Sequence, residues 1–295
     1  MIKTLIIVNP VAGKMKIKNE LFDLVTSLNS QGYEPTIRIT SAKGEATDIA
    51  AAEAGKYGLV ICCGGDGTLN EVISGLLKIE EKPKLLYYAC GSTNDFATTL
   101  GLPKRIDSLS LEIDKRDIFD LDVGLMNGNI NFSYIASFGI FTKASYSAKQ
   151  GMKNVFGHFA YILEGAKEIG TLNKSYHTKI TYDDGEIEGD FVLVGVTNST
   201  SAGGVLRLSE EQVKLNDGIF EILAIKALKN PADTAKIAGM LMKQQYDGEN
   251  IILIHTKKAV LECDDAPAWT VDGECAGNIA RAEVECLHSA IRLVL

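Results

Sequence analysis

The sequence predicts an α/β domain, a mostly parallel sheet with helices on both faces, followed by a β-rich, largely antiparallel second domain. Three observations carry this expectation. Short apolar runs alternate with helical periodicity over roughly the first hundred residues. Glycine-rich loops follow those apolar runs. After about Leu121 the rhythm changes to strand-like runs separated by tight-turn signals.

Leu5 to Val8 is a short apolar strand, and Asn19 to Leu28 carries Leu21, Phe22, Leu24, Val25 and Leu28 at helical spacing. Gly32 stops that helix before a second strand, Tyr33 to Thr40. Glu45 to Glu53 is an alanine-rich helix closed by Gly55. Leu59 to Cys63 is a continuous apolar run, expected of a strand covered on both faces. Leu69 to Leu77 is the next helix, Lys84 to Ala89 the next strand and Asn94 to Leu100 a further helix. Beyond them, Asp117–Leu125 and Ile130–Ser137 flank Asn127-Gly128-Asn129, a hairpin signal. Tyr176–Tyr182 and Glu186–Thr197 flank Asp183-Asp184-Gly185, a second one. Strands are expected over Gly218–Ile225, Ile251–Glu262, Ala268–Val271 and Ile279–His288. Two helices interrupt them, at Asn154–Glu168 and Pro231–Gln245. The expected domains are 1–122 and 123–295, with the extreme C-terminus packing back on the first.

Composition narrows the function classes. Of 295 residues, 46% are hydrophobic and 23% charged, the balance of a folded globular protein. A net charge of −8 disfavours non-specific nucleic-acid binding, which clustered Lys and Arg must supply. It also disfavours broad attraction to an anionic leaflet, although a local basic patch can still dock there. No window approaches eighteen uninterrupted apolar residues, and Met1 to Thr4 runs straight into a strand with no leader pattern, so a cytoplasmic protein is expected. Six cysteines without a Cys-x-x-Cys pair read as small core residues in a reducing compartment.

The strongest chemical signal is Gly64-Gly65-Asp66-Gly67-Thr68. Glycines after a buried strand let backbone approach a ligand that side chains would exclude. Thr68 is expected to open a helix, whose unbonded N–H groups and positive dipole end suit phosphate. Asp66 would repel bare phosphate, so its presence points to an intervening magnesium ion. A plain glycine-rich turn is the competing reading. Gly91-Ser92-Thr93-Asn94-Asp95 also lies between strand and helix, where helix capping competes with ligand binding. Asn9-Pro10-Val11-Ala12-Gly13-Lys14 ends the first strand, and Lys14 and Lys16 can reach phosphate oxygens. Asp272-Gly273-Glu274 is a hairpin turn by spacing, or a pair of carboxylates able to serve as general base. No Walker-type phosphate loop, dinucleotide fingerprint or protein-kinase catalytic loop is present.

Together the turn at Asn9–Gly13, GGDGTLNE, GSTND and a late DGE, in that order, make the chain resemble the bacterial diacylglycerol kinase family of soluble lipid kinases. That family is related to sphingosine kinases and more distantly to NAD kinases. The resemblance covers essentially the whole chain and implies an ATP- and magnesium-dependent kinase of a lipid hydroxyl, diacylglycerol first. NAD kinase and a non-catalytic lipid- or nucleotide-binding protein are the alternatives. It implies that Asn9, Pro10, Val11, Ala12, Gly13, Lys14 and Thr40 line the nucleotide. Gly64, Gly65, Asp66, Gly67, Thr68, Leu69 and Asn70 cradle its phosphates, with Ser92 and Asp95 nearby and magnesium on Asp66. Asp272 and Glu274 match the catalytic acids. A structural magnesium is implied on the Asp217 carboxylate and the carbonyls of Lys214 and Ile219, with Asp122 coupling it to the active cleft between the domains.

The chain departs from relatives at Ala89-Cys90, where proline is common, at Ser92 for threonine, at Thr98, often basic, and at Asn216, where an acid is found. An apolar stripe, Val155, Phe156, Phe159, Ile162, Leu163, Ala166 and Ile169, reads as core packing or as an acyl or membrane contact, with Lys149 and Lys153 near its start. Peripheral attachment to the inner membrane surface follows from a lipid acceptor. Oligomeric state is open, a homodimer among the options.

Overall fold

The computed structural model describes residues 1–15, 17–91, 94–102, 113–140, 174–202, 206–208, 213–227, 236–237, 239–241 and 243–295. They divide into two compact units: Met1–Leu121 with Ser289–Leu295, and Asp122–His288.

In the first unit β1 (Ile2–Val8), β2 (Tyr33–Ile39), β3 (Leu59–Gly64) and β4 (Lys84–Ala89) alternate with α1 (Ile17–Ser30), α2 (Glu45–Glu53), α3 (Asp66–Leu76) and α4 (Asp95–Thr99). The strands pair in parallel in the order β2-β1-β3-β4. The chain's last residues extend this sheet, Leu293 and Val294 running parallel to Leu85 and Leu86. β3 is buried at every position, whereas the edge strand β2 buries only Tyr33. Parallel strands covered on both faces need such continuous apolar sequence, and Leu59-Val-Ile-Cys-Cys supplies it. The helices are held as tightly. At Gly75 of α3 a Cβ would fall 2.5 Å from both the Ala50 Cβ and the Thr47 carbonyl oxygen of α2. Gly75→Ala is therefore expected to lower stability. Overpacking costs about 1–3 kcal/mol, more than the roughly 1 kcal/mol gained in helix propensity. Urea titration checks the sign.

The second unit is antiparallel. Its strands are β5 (Ile118–Met126, begun in the first unit), β6 (Ile130–Phe132), β7 (Ile135–Gly139), β8 (Tyr176–Tyr182), β9 (Gly185–Thr197), β10 (Ser201–Ala202), β11 (Leu206–Arg207), β12 (Phe220–Lys226), β13 (Ile251–Thr256), β14 (Lys258–Cys263), β15 (Ala268–Val271), β16 (Glu274–Asn278) and β17 (Arg281–Val294, ended in the first). β9 organises the sheet. Its first half pairs with β8 and alternates in exposure, while Phe191 to Thr197 is wholly buried and bonded by β7 and β12. Phe132, Phe138, Phe191, Phe220 and Trp269 fill the core beneath. The Trp269 indole N–H donates to the Ile279 carbonyl at 3.1 Å, which lets its polar atom be buried.

Several elements differ from expectation. α3 begins at Asp66, with Gly65 as N-cap and the Leu69 N–H on the Gly65 carbonyl at 3.0 Å, so Thr68 is its third residue and not its opener. The expected strand Ile130–Ser137 breaks at Ser133-Tyr134, where the amides turn to a side chain instead of a neighbouring strand. Lys257 divides the expected Ile251–Glu262 strand in two. The expected helix at Asn154–Glu168, with its apolar stripe, lies outside the described residues; of the one at Pro231–Gln245, residues 236–237 and 239–241 are helical. No helix among the described residues is long and apolar enough to cross a membrane.

Candidate active site

Three loops of the first unit meet at the carboxyl ends of β1, β3 and β4, the usual ligand position in such sheets. Asn9 joins two of them. Its Nδ2 donates to the Thr68 hydroxyl at 2.9 Å, and its Oδ1 accepts the Val11 N–H at 3.2 Å. The Cys90 N–H donates to the Gly64 carbonyl at 2.8 Å. Side chains are excluded where the loops touch. A Cβ on Gly91 would lie 2.7 Å from the Gly65 Cα, and one on Gly13 only 1.7 Å from the Cys90 carbonyl oxygen. Gly13 also has a φ of +52°, which disfavours any side chain there.

On this frame Val11 is exposed while Thr40 and Thr68 are buried. The Thr40 N–H and hydroxyl both turn to the Val8 carbonyl, which anchors the chain beside Asn9. Gly67 is exposed, and beyond its chain neighbours and its own helix no protein atom lies within 4 Å of where its Cβ would be, so no other element covers it in the first turn of α3, where helix N–H groups lack intrahelical acceptors. The Leu69 side chain is core, leaving only its backbone on this loop, and Asn70 is half-buried. Asn94 caps α4 with a left-handed backbone, and its Nδ2 closes on the Gly91 carbonyl at 2.9 Å. Ser92 and the side chains of Lys14 and Asp95 lie outside the described residues.

Two partners of this loop escaped the sequence reading. The Tyr87 hydroxyl, from β4, lies 3.3 Å from Asp66 Oδ1 and donates to it. Burial, then the charge of Asp66, drive the phenol far above its ordinary range, so it stays a donor. Glu71, the acid that ends GGDGTLNE, is structural: its Oε1 accepts the Gly44 N–H at 2.8 Å and its carbonyl accepts the Thr47 hydroxyl at 2.9 Å. The contacts tie α3 to the turn after Thr40. A tyrosine within the apolar run Leu85-Leu-Tyr-Tyr-Ala was the one available signal.

In the second unit Asp272 and Gly273 form the two-residue turn joining β15 to β16, with φ of +46° and +82°, the signs of a type I′ hairpin. The turn puts the two acids in different surroundings. Asp272 is buried, its Oδ2 accepting the Ser133 N–H at 2.7 Å and its Oδ1 the Tyr134 and Ile135 N–H groups at 3.1 Å. Glu274 is exposed.

The Lys214–Ile219 loop of the same unit is pinned by Asp122, which is fully buried. Asp122 Oδ2 accepts the Gly218 N–H at 2.6 Å, its N–H donates to the Leu215 carbonyl at 2.9 Å, and its Oδ1 meets His288 Nδ1 at 2.8 Å. Asp217 is exposed and its Oδ1 accepts the Ile219 N–H at 3.1 Å. Near it lies Glu221, 1% exposed, whose acid is pushed up to about 8 by burial and then by Asp217. Its only sequence signal was one charge inside the apolar run Phe220-Glu-Ile-Leu-Ala-Ile.

Among the described residues no three His, Cys, Asp or Glu side chains are grouped to hold a metal by themselves. The donors present nevertheless fit magnesium. Asp66 stands at an accessible helix start, and magnesium commonly takes one or two carboxylates with waters and substrate phosphates. At the second loop Asp217 offers an exposed carboxylate, and the buried Oε2 of Glu221, two residues after Ile219, has no hydrogen-bond partner.

Comparison with known proteins gives two family matches: the diacylglycerol kinase catalytic domain over residues 3–126, and the YegS C-terminal NAD kinase beta sandwich-like domain over 135–295. A diacylglycerol kinase of Bacillus subtilis is 31% identical over 98% of this chain and 95% of its own. One of Staphylococcus aureus is 31% identical over 93% and 86%. A Bacillus anthracis crystal structure superposes with a TM-score of 0.81 at 28% identity, covering 99% of this chain and 94% of the other. A further one, a diacylglycerol kinase of the same organism, gives 0.77 at 25% identity, covering 99% and 96%.

Proposed function

The chain belongs to the diacylglycerol kinase family and is a lipid kinase, and from that premise we propose that it transfers the γ-phosphoryl group of ATP, with magnesium, to the free hydroxyl of diacylglycerol. The observation that carries this reading is the start of α3, where Asp66 opens the helix among Gly64, Gly65 and an exposed Gly67. The proposed domains are 1–122 for nucleotide and 123–295 for the lipid. In this reading Asn9 to Lys14, Thr40, Ser92 and Asp95 line the nucleotide, and Gly64 to Asn70 receive its phosphates. Asp66 holds the catalytic magnesium; Asp217, with the carbonyls of Lys214 and Ile219, holds a structural one. When bound, the catalytic ion neutralises charge on the transferring group, which is most of what phosphoryl transfer requires.

The two acids divide the work. Asp272, occupied by three backbone donors, fixes the turn. Glu274, exposed, takes the proton from the acceptor hydroxyl. The protein works in the cytoplasm, at the inner membrane surface where its acceptor resides.

Gly13→Ala tests the nucleotide frame. The added methyl cannot fit against Cys90, so the KM for ATP is expected to rise about tenfold, the equivalent of roughly 1.4 kcal/mol of binding. The acceptor is tested by competition. Diacylglycerol, phosphatidylglycerol, undecaprenol and a sphingoid base are offered together in one mixed micelle, with NAD in the buffer, and the products are resolved by mass. Phosphatidic acid is expected as the main product. Phosphorylated NAD alone would favour the NAD kinase alternative, and another phosphorylated lipid would reassign the acceptor.

A further inference from the structure

The carboxylate of Glu221 has no role in the mechanism above, and its burial calls for one. It sits on β12 opposite Thr197 of β9 and His255 of β13, and is 1% exposed. Its Oε1 is 4.0 Å from His255 Nε2, beyond hydrogen-bond range, and its Oε2 meets no donor. Buried polar oxygens are nearly always satisfied, and a buried charge needs an opposite charge or a metal. The acidic neighbour acting on Glu221 is Asp217, of like sign. Glu221 follows Ile219 by two residues, so the strand that carries it leaves directly from the Lys214–Ile219 loop. That loop is held in shape before any ligand arrives, by Asp122 on Gly218 and Asp217 on Ile219.

We infer that Glu221 is a second carboxylate partner of the divalent cation at the Lys214–Ile219 loop, its Oε2 meeting the ion or one of its coordinated waters. The inference rests on the reading of that loop as a cation site. It makes the site one of two acidic side chains and backbone carbonyls, a hard-oxygen set suited to magnesium or calcium.

The test is magnesium binding by nucleotide-free protein, followed by thermal unfolding and by calorimetry, so activity is not the readout. In the wild type, magnesium is expected to raise Tm, and Asp217→Asn to abolish the rise. Glu221→Gln is expected to weaken magnesium at least tenfold while its Tm in EDTA at pH 7 stays close to the wild-type value, because an acid pushed up to about 8 by burial is as neutral there as the amide. If Glu221→Gln binds magnesium as the wild type does while Asp217→Asn does not, the inference falls and the loop site stands. If the wild type shows no response, or Asp217→Asn keeps it, the loop reading falls and takes the inference with it. Should Glu221→Gln fail to fold, Glu221→Asp, shorter by one methylene, is expected to show the same weakening, and wild-type affinity there would overturn the role.

Discussion

Asp66→Asn is expected to lower kcat for phosphoryl transfer by on the order of a thousandfold while leaving the fold intact. The amide keeps the shape of the carboxylate, and its oxygen still accepts from the Tyr87 hydroxyl, so the start of α3 should not move. Losing a negative charge from the first turn of a helix costs only about 0.3–1 kcal/mol. What disappears is the charge that would hold magnesium against the phosphates. Circular dichroism should match the wild type, and labelled-ATP turnover should collapse. Activity within tenfold of wild type would remove Asp66 from the centre of the mechanism.

The two acids of the Asp272-Gly273-Glu274 turn are expected to separate in stability and not in activity. Asp272→Asn turns an amide NH2 toward backbone N–H donors, since three of them converge on the carboxylate from Ser133, Tyr134 and Ile135. Breaking a buried, charge-assisted cluster of this kind costs about 2–5 kcal/mol. A clear fall in Tm should therefore accompany its loss of turnover, and turnover alone cannot assign a catalytic role to this residue. Glu274→Gln alters an exposed side chain, so stability should stay within about 0.5 kcal/mol. Removing a general base should still reduce kcat by about a hundredfold or more, with the KM for ATP unchanged. The combination that would reverse the assignment is an active Glu274→Gln beside an inactive, stable Asp272→Asn.

These residues also show where sequence reading stopped. The parallel sheet was legible because each strand carries its own signal: β3 is apolar throughout and its glycines follow at once. GGDGT was legible for the same reason, its chemistry and its turn being contiguous. Asp272 was not. Its carboxylate is satisfied by amides 137 to 139 residues earlier in the chain, and no local pattern announces that pairing. The same contact explains why the strand expected over Ile130–Ser137 breaks at Ser133-Tyr134. Glu71 is the opposite case. It stands within a motif that suggests chemistry, yet its Oε1 and its carbonyl hold α2 and the turn before it, at Thr47 and Gly44. β16 was missed because Glu-Cys-Ala-Gly-Asn has little strand character and is paired only through the Asp-Gly hairpin. The extension of β17 to Val294 was missed because Ser289 interrupts it with a positive φ of 51°.

The most direct measurement is transfer of label from γ-labelled ATP to diacylglycerol in mixed micelles by the purified chain, with magnesium and then with excess EDTA. Labelled phosphatidic acid that forms with magnesium, disappears with EDTA and is absent without protein is the expected result. ATP bound but no label in diacylglycerol or any other acceptor, under conditions where the Bacillus subtilis relative is active, would contradict the proposed reaction.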